Sequence, residues 1–281
     1  MPADYQTTVA TCAGDLELRV SAATDVGSIR AVNEDSVFAR PPAFLVADGM
    51  GGHAYGDRAS QSLVAAFADH FDEEAPTHPA EVLRAIDEAN SRVQGLVTED
   101  DGPGAVAGTT LAGVALVEVA PAPDAAVAPH WMIFNVGDSR VYGWNGRDVV
   151  QITVDHSAVQ ELVALGVITA EEALVHPDRN VITRAVGSEP EIETDLWLMP
   201  VQGNQVFVAC SDGLTKELED EDISAAIHAY MQEESPELSL SQFLVNLAVG
   251  RGGRDNVSVV VLESNALGRE GVEAPAAPAE E

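Results

Sequence analysis

Two hydrophobic periods alternate in blocks along this chain. Residues 16–24 alternate apolar and polar well enough for a strand, and a turn-like Asp25-Val26-Gly27-Ser28 follows. Phe44-Leu45-Val46-Ala47 is a short unbroken apolar run that stops at Asp48-Gly49; Gly49, Gly51 and Gly52 then make a tight loop. Helical spacing takes over from Asp57, through Leu63, Ala66, Phe67 and Phe71. After Pro79, residues Val82, Ile86, Ala89, Val93 and Leu96 step by fours and threes, the pattern of an amphipathic helix. A glycine-rich connection covers 100–108.

Strands dominate next, at 109–119, 131–136, 141–144 and 149–153. The Ala/Pro segment 121–129 reads as an exposed hairpin extension, and Asn145-Gly146 as a two-residue hairpin turn. The pattern turns helical over 157–187, where Thr169-Ala170-Glu171-Glu172 resembles a capping box. A buried strand at 205–210, helices at 220–231 and 238–249, and a β-branched strand at 257–262 complete the order. From Ser264 onward an Ala/Pro/Glu tail has no pattern and is expected to be disordered. Antiparallel meanders outnumber βαβ units, so helices packed on a sheet sandwich, an α+β fold, fit better than a doubly wound parallel sheet.

Composition adds a constraint on the core. With 46% hydrophobic residues but only 5% aromatics, it must be built from Ala, Val, Leu and Ile. Charge adds more. Asp plus Glu number 46 against 14 Lys plus Arg, a formal net charge of -32, and Lys216 is the only lysine. Such a surface repels nucleic acid and anionic membranes and attracts cations, although solubility alone accounts for most of the carboxylates. Two cysteines, Cys12 and Cys210, build no disulfide framework or zinc site, and Cys210, inside an apolar strand, reads as an inert core residue. The N-terminus lacks the basic and apolar regions of a signal peptide, and no apolar run approaches the roughly 20 residues of a spanning helix. The expectation is a soluble, cytoplasmic chain.

The chemistry concentrates at strand ends. Apolar strands end at Asp48, Asp212 and Asp138, and Asp255 opens another. Any one of these is ordinary turn chemistry. Together they suggest convergence. Two unit charges about 4 Å apart repel by roughly 4 kcal/mol at an effective dielectric of 20, which forces protonation unless a cation intervenes. No Cys or His cluster accompanies them, so an all-oxygen site for Mg²⁺ or Mn²⁺ is expected, not Zn²⁺. Arg30, in Arg30-Ala31-Val32-Asn33-Glu34-Asp35, has the planar charged fork suited to clamping phosphate. Standing alone it would read as a surface arginine.

Six motifs in order carry a family resemblance: Arg30-x-x-Asn33-Glu34-Asp35, Asp48-Gly49-Met50-Gly51-Gly52-His53, Gly108-Thr109-Thr110, Gly137-Asp138-Ser139-Arg140, Ser211-Asp212-Gly213-Leu214 and Asp255-Asn256-Val257-Ser258. Over about residues 17–263 the chain resembles the protein phosphatase 2C family of metal-dependent Ser/Thr phosphatases, in its bacterial form. The resemblance implies a four-layer α-β-β-α sandwich of two antiparallel sheets flanked by helices. It implies a catalytic domain over 16–263, an N-terminal extension over 1–15 and a tail over 264–281.

It also implies roles. Asp48 would bridge two catalytic metals, with the Gly49 carbonyl as a further ligand. Asp212 and Asp255 would complete the first metal site, and Glu34 would reach the second through water. Asp138, with Asp212, would help hold a third ion. Arg30 would bind the substrate phosphate, and 156–187 would form a mobile flap. The implied substrates are phosphoproteins made by Ser/Thr kinases, acted on by a monomer with no membrane segment in this chain. Met50 stands where animal members carry a His proposed as general acid; a metal-bound water or His53 could serve instead, though His53 packing the glycine-rich turn is the plainer reading. Among the other histidines (His70, His78, His130, His156, His176, His228) no ligand spacing is evident. The alternatives are a catalytically silent phosphoprotein-binding relative and a hydrolase of small phosphate esters.

Overall fold

Residues 4–51, 55–71, 74–98, 105–120, 122, 125–233 and 236–266 are described by the computed structural model. With strands numbered in chain order, one six-stranded sheet runs β1 (Tyr5–Thr11), β2 (Gly14–Asp25), β12 (Val257–Ala266), β11 (Asn204–Cys210), β8 (Arg140–Trp144), β9 (Val149–Gln151). The second runs β10 (Asp195–Pro200), β7 (Ala128–Val136), β6 (Leu111–Val119), β4 (Ala43–Met50), β3 (Asp35–Arg40), with the two-residue β5 (Gly108–Thr109) paired to the end of β4. These strands pair antiparallel.

The unbroken apolar runs follow from cover on both faces. In β4, Phe44 and Val46 point into the core between the sheets, while Ala43, Leu45 and Ala47 point at helices α1 (Gly56–His70) and α2 (Pro79–Gln94). In β12, Val260 and Leu262 face the inter-sheet core, while Val257, Val259 and Val261 face α6 (Asp220–Met231) and α7 (Leu240–Arg251). A strand covered on both sides has no polar face, so it reads as a run, not an alternation. The result is the expected α-β-β-α sandwich. Helix α2 begins at Pro79, as the periodicity predicts, with the His78 ring accepting a hydrogen bond from the Ala80 N–H.

Other elements depart from the sequence expectations. Residues 5–11, set apart as an extension, form β1 and pair with β2 from Tyr5↔Val20 to Thr11↔Gly14. Strand β3 begins with polar Asp35-Ser36, and β10 is an edge strand with Leu196 and Leu198 exposed; neither has the apolar density of β4. The segment 157–187 holds only two short helices, α3 (Ala158–Ala164) and α4 (Ala170–Leu174), and then runs without helix to Gly187. Thr169 and Glu172 do form a reciprocal capping box on α4. The β8–β9 turn has four residues, not two, because the Asn145 side chain accepts hydrogen bonds from the Arg147 and Asp148 N–H groups. Strand β12 continues through residues 264–266, which the sequence assigned to the tail. The rest of that tail, and His53, lie outside the described residues. Cys210 is buried in the core as expected, and burial pushes its thiol up to about 12.

Candidate metal and phosphate site

Antiparallel pairing brings the four aspartates to one end of the sandwich. Strands β4 and β7 flank β6 and therefore run the same way, so Asp48 and Asp138 leave the same edge of their sheet. In the other sheet β11 and β12 are antiparallel neighbours paired at Cys210↔Val259, so the exit of β11 at Asp212 meets the entry of β12 at Asp255. All four line one cleft of about 1410 Å³, together with Arg30 and Glu34.

The motifs hold the backbone around these carboxylates. The Asp48 N–H donates to the Thr110 hydroxyl at 3.0 Å, and its carbonyl accepts from the Thr110 N–H at 2.8 Å and the Thr109 hydroxyl at 2.9 Å. Gly49 is needed because the backbone is crowded there: an added Cβ would lie 2.0 Å from the Gly56 carbonyl oxygen. Gly213 has the same reason, at 1.8 Å from the Asn256 carbonyl oxygen. Met50 pairs with Gly108 in β5, and its thioether side chain offers no proton donor. Beside Asp138, Arg140 binds Asp155 bidentately.

Asn256 ties the loop over 26–34 to the site. Its carboxamide oxygen accepts from the Glu34 N–H at 2.8 Å, and its nitrogen donates to the Val26 and Val32 carbonyls at 2.9 and 3.0 Å. That loop carries Arg30, whose guanidinium contacts Asp255 at 2.8 Å with Glu34 4.0 Å away.

Two residues without an assigned role in the sequence reading join the cluster. Asp35 lies opposite Asp48 in the β3–β4 register and accepts a hydrogen bond from the Ser211 hydroxyl at 2.8 Å. Lys216, which closes the short helix α5 (Asp212–Thr215), reaches Asp212 through its ammonium and hydrogen-bonds Asp255 at 2.8 Å. The signal for Lys216 was its i, i+4 spacing from Asp212, which stacks the two side chains on one helical face.

The electrostatics are those of crowded, partly dry carboxylates. Burial, then the charges of Asp35, Asp212 and Asp138, raises Asp48 well above the usual carboxylate range, with Lys216 opposing. Burial chiefly pushes Asp35 and Asp138 each up to about 7. Burial also raises Asp212 against the pull of Lys216. At Asp255 burial works upward, but Lys216 and Arg30 more than reverse it. For Lys216 itself burial works downward, and Asp212 and Asp255 override it, holding the ammonium charged.

The donor set suits a hard divalent cation. It is all oxygen, it carries excess negative charge, and one oxygen each of Asp35 and Asp212 is buried with no hydrogen-bond partner. Among the described residues no three Asp, Glu, His or Cys side chains are already drawn together closely enough to hold a metal ion. The Asp212–Asp255 pair is closed on Lys216 instead.

An acidic strand-end cluster with a nearby arginine, on an α-β-β-α sandwich, defines a metal-and-phosphate class of site. Known proteins narrow it further. The sequence profile described as Protein phosphatase 2C matches residues 30–246. The serine/threonine protein phosphatase PstP of Mycobacterium tuberculosis is 38% identical over 252 residues, 88% of this chain and 45% of PstP. The chain thus spans about half the length of that relative. The serine/threonine phosphatase stp of Listeria welshimeri is 34% identical over 87% of this chain and 95% of its own. Among solved structures, the catalytic domain of PstP in complex with two manganese ions aligns with a TM-score of 0.73 and 36% identity, over 89% of this chain and 99% of that one. The chain belongs to the protein phosphatase 2C family. Among the described residues no helix is long and apolar enough to cross a membrane.

Proposed function

We propose that this chain hydrolyses phosphoserine and phosphothreonine in proteins phosphorylated by Ser/Thr kinases, with Mn²⁺ or Mg²⁺ as cofactor. The observation that carries it is the gathering of Asp48, Asp138, Asp212 and Asp255 with Arg30 at one cleft, in a member of a family whose relatives bear the name Ser/Thr phosphatase. Asp48, Asp212 and Asp255 would hold the two catalytic ions, with the Gly49 carbonyl and Glu34 as further donors. Asp138 would join Asp212 at a third, weaker position. Bound divalent ions supply Lewis acidity at the phosphoryl oxygens and a water acidic enough to attack phosphorus at neutral pH.

The chain's own residues supply the rest. Arg30 offers two parallel N–H donors to the phosphate and neutralises its equatorial oxygens. It must leave Asp255 to do so, and its side chain is half exposed, free to swing into the cleft. The segment 156–187 would act as the flap. Its exposed Leu174 and Val175 line the cleft, an apolar surface that a peptide covers and a small ester does not reach. A silent relative would be free to lose any of the acidic residues or Arg30, and all are present.

The test is phosphate release from a phosphothreonine peptide, compared with a free small phosphate ester, with and without Mn²⁺. Activity that survives thorough chelation would sink the mechanism. Asp48→Ala should abolish turnover, and a variant within about tenfold of wild type would refute the role given to Asp48.

A further inference from the structure

Lys216 is the chain's only lysine, in a protein of formal net charge -32. It sits inside the carboxylate cluster, not on the solvated surface. Its ammonium bridges Asp212 and Asp255 through the Oδ2 atom of each. The bridge is built into the local fold. Strand β11 ends at Cys210, the chain turns into α5, and the Lys216 N–H donates to the Asp212 carbonyl at 2.7 Å. That turn stacks Lys216 over Asp212, and Asp255 enters from the adjoining strand. Arg30 takes the outer side of Asp255, at 2.8 Å from Oδ1. Meanwhile Asp212 Oδ1 stays buried and without a partner. The Asp212–Asp255 bridge is therefore filled by one monovalent cation, Lys216, while an Asp212 oxygen beside it remains open.

Resting on the reading of Asp48, Asp212 and Asp255 as metal ligands, we propose that Lys216 is a resident counter-cation. It competes with the divalent ion for the Asp212–Asp255 pair, and so sets how tightly this protein holds metal there. An ammonium and a divalent ion cannot share the same two Oδ2 atoms, because like charges a few Å apart in a partly dry site repel. Metal binding is then an exchange: the ion enters and the lysine stem swings away. The stem has room, since the Lys216 side chain is 31% exposed and lines the cleft. The same competition gives the metal-free protein a stabilising device that a bare carboxylate cluster lacks.

Lys216→Met keeps the stem and removes the charge. Isothermal titration of the chelator-stripped protein with Mn²⁺, with no substrate present, should show affinity raised by about tenfold, equivalent to ~1.4 kcal/mol. The metal-free variant should melt below wild type, and its gain in melting temperature on adding Mn²⁺ should exceed that of wild type. Equal or weaker Mn²⁺ binding by the variant would overturn the proposal and make Lys216 a support for the ligands. A second measurement does not depend on the variant folding. Selective ¹³C-lysine labelling places a single side-chain reporter in the wild-type chain. Its Cε resonance should shift on titration with diamagnetic Mg²⁺ and saturate with the metal. A resonance that stays put while Mg²⁺ binds would also overturn the exchange. If wild type takes up neither ion, the ligand reading itself fails and this inference falls with it. If wild type binds metal but Lys216→Met binds no tighter, the inference alone fails.

Discussion

Replacing Asn256 by Ala should weaken the fold and the site together, by amounts that follow from three hydrogen bonds. The carboxamide is buried and satisfies the Glu34 N–H and the Val26 and Val32 carbonyls at 2.8–3.0 Å. A typical intramolecular hydrogen bond contributes about 1 kcal/mol net, so losing the set costs about 3 kcal/mol, less whatever water recovers. For a domain of this size that is a fall in melting temperature of about 6–12 °C. The other ties of the loop over 26–34 include the Ser28 N–H to the Gly253 carbonyl at 2.6 Å, the Asn33 side chain to the Thr24 hydroxyl at 2.7 Å, Arg30 to Asp255 at 2.8 Å, and the Ser60 hydroxyl and Gly49 N–H to the Glu34 carbonyl at 2.5 and 3.2 Å. Arg30 and Glu34 ride on it. A displacement near 1 Å at a positioning group costs about 10²-fold in rate, so kcat/KM on a phosphothreonine peptide should drop by that order. Thermal denaturation followed by circular dichroism, with steady-state kinetics beside it, reads both effects. Asn256→Asp sharpens the test. It keeps an acceptor for the Glu34 N–H but turns a second oxygen toward the two carbonyls, so it should be at least as damaging as Ala. An Asn256→Ala protein that melts within about 2 °C of wild type, or an Asp variant milder than Ala, would refute this account of the loop.

Arg30→Ala should raise KM for the phosphopeptide with a smaller loss in kcat, because it removes phosphate capture; an unchanged KM would count against that assignment. Gly213→Ala places a Cβ 1.8 Å from the Asn256 carbonyl oxygen, where only backbone could yield, and should destabilise by about 3 kcal/mol, read as a lower midpoint in urea. The pH dependence of the metal-free protein should run against the usual acid denaturation. Asp35 and Asp138 keep their protons to about pH 7 in the fold, while an unfolded aspartate releases its proton near pH 4. The folded state therefore binds more protons between those values, and stability falls as pH rises through about 4 to 7. Melting curves across that range, with chelator present, would contradict this if they rose.

Much of the site was legible because it sits at strand ends. Asp48, Asp138, Asp212 and Asp255 each touch an apolar run, and a run covered on both faces marks a central strand. Central strands of an antiparallel sandwich present their ends at shared edges, so the sequence alone groups the aspartates. What stayed hidden was set by long-range pairing. Strand β3 looks polar because Asp35 opens it, yet its register puts Asp35 against Asp48. Strand β10 has only one covered face, and β1 gains its place by pairing with β2. The helical reading of 157–187 failed where tertiary contacts replace local ones: the Ala158 and Thr183 N–H groups bond to the Val181 and His156 carbonyls, and the Thr109 N–H bonds to the Val186 carbonyl.

The cluster also shows why motif and fold agree here. Burying Asp35, Asp48, Asp138 and Asp212 near one another destabilises their charged forms, and the protein does not hide this by pairing each with a basic residue. Among the described cationic side chains that line the cleft, Arg140 is spent on Asp155, Arg251 on Asp222 and Arg254 on Glu217. Among the described residues, Lys216 and Arg30 are the cations paired with the cluster's own aspartates, and both grip Asp255. That leaves one oxygen each of Asp35 and Asp212 buried without a hydrogen-bond partner. The unmatched charge is concentrated where β4 and β11 end, and a divalent cation is the group whose binding it favours. The glycines that follow Asp48 and Asp212 belong to the same design, since only a residue without a Cβ lets the neighbouring backbone close over the cluster.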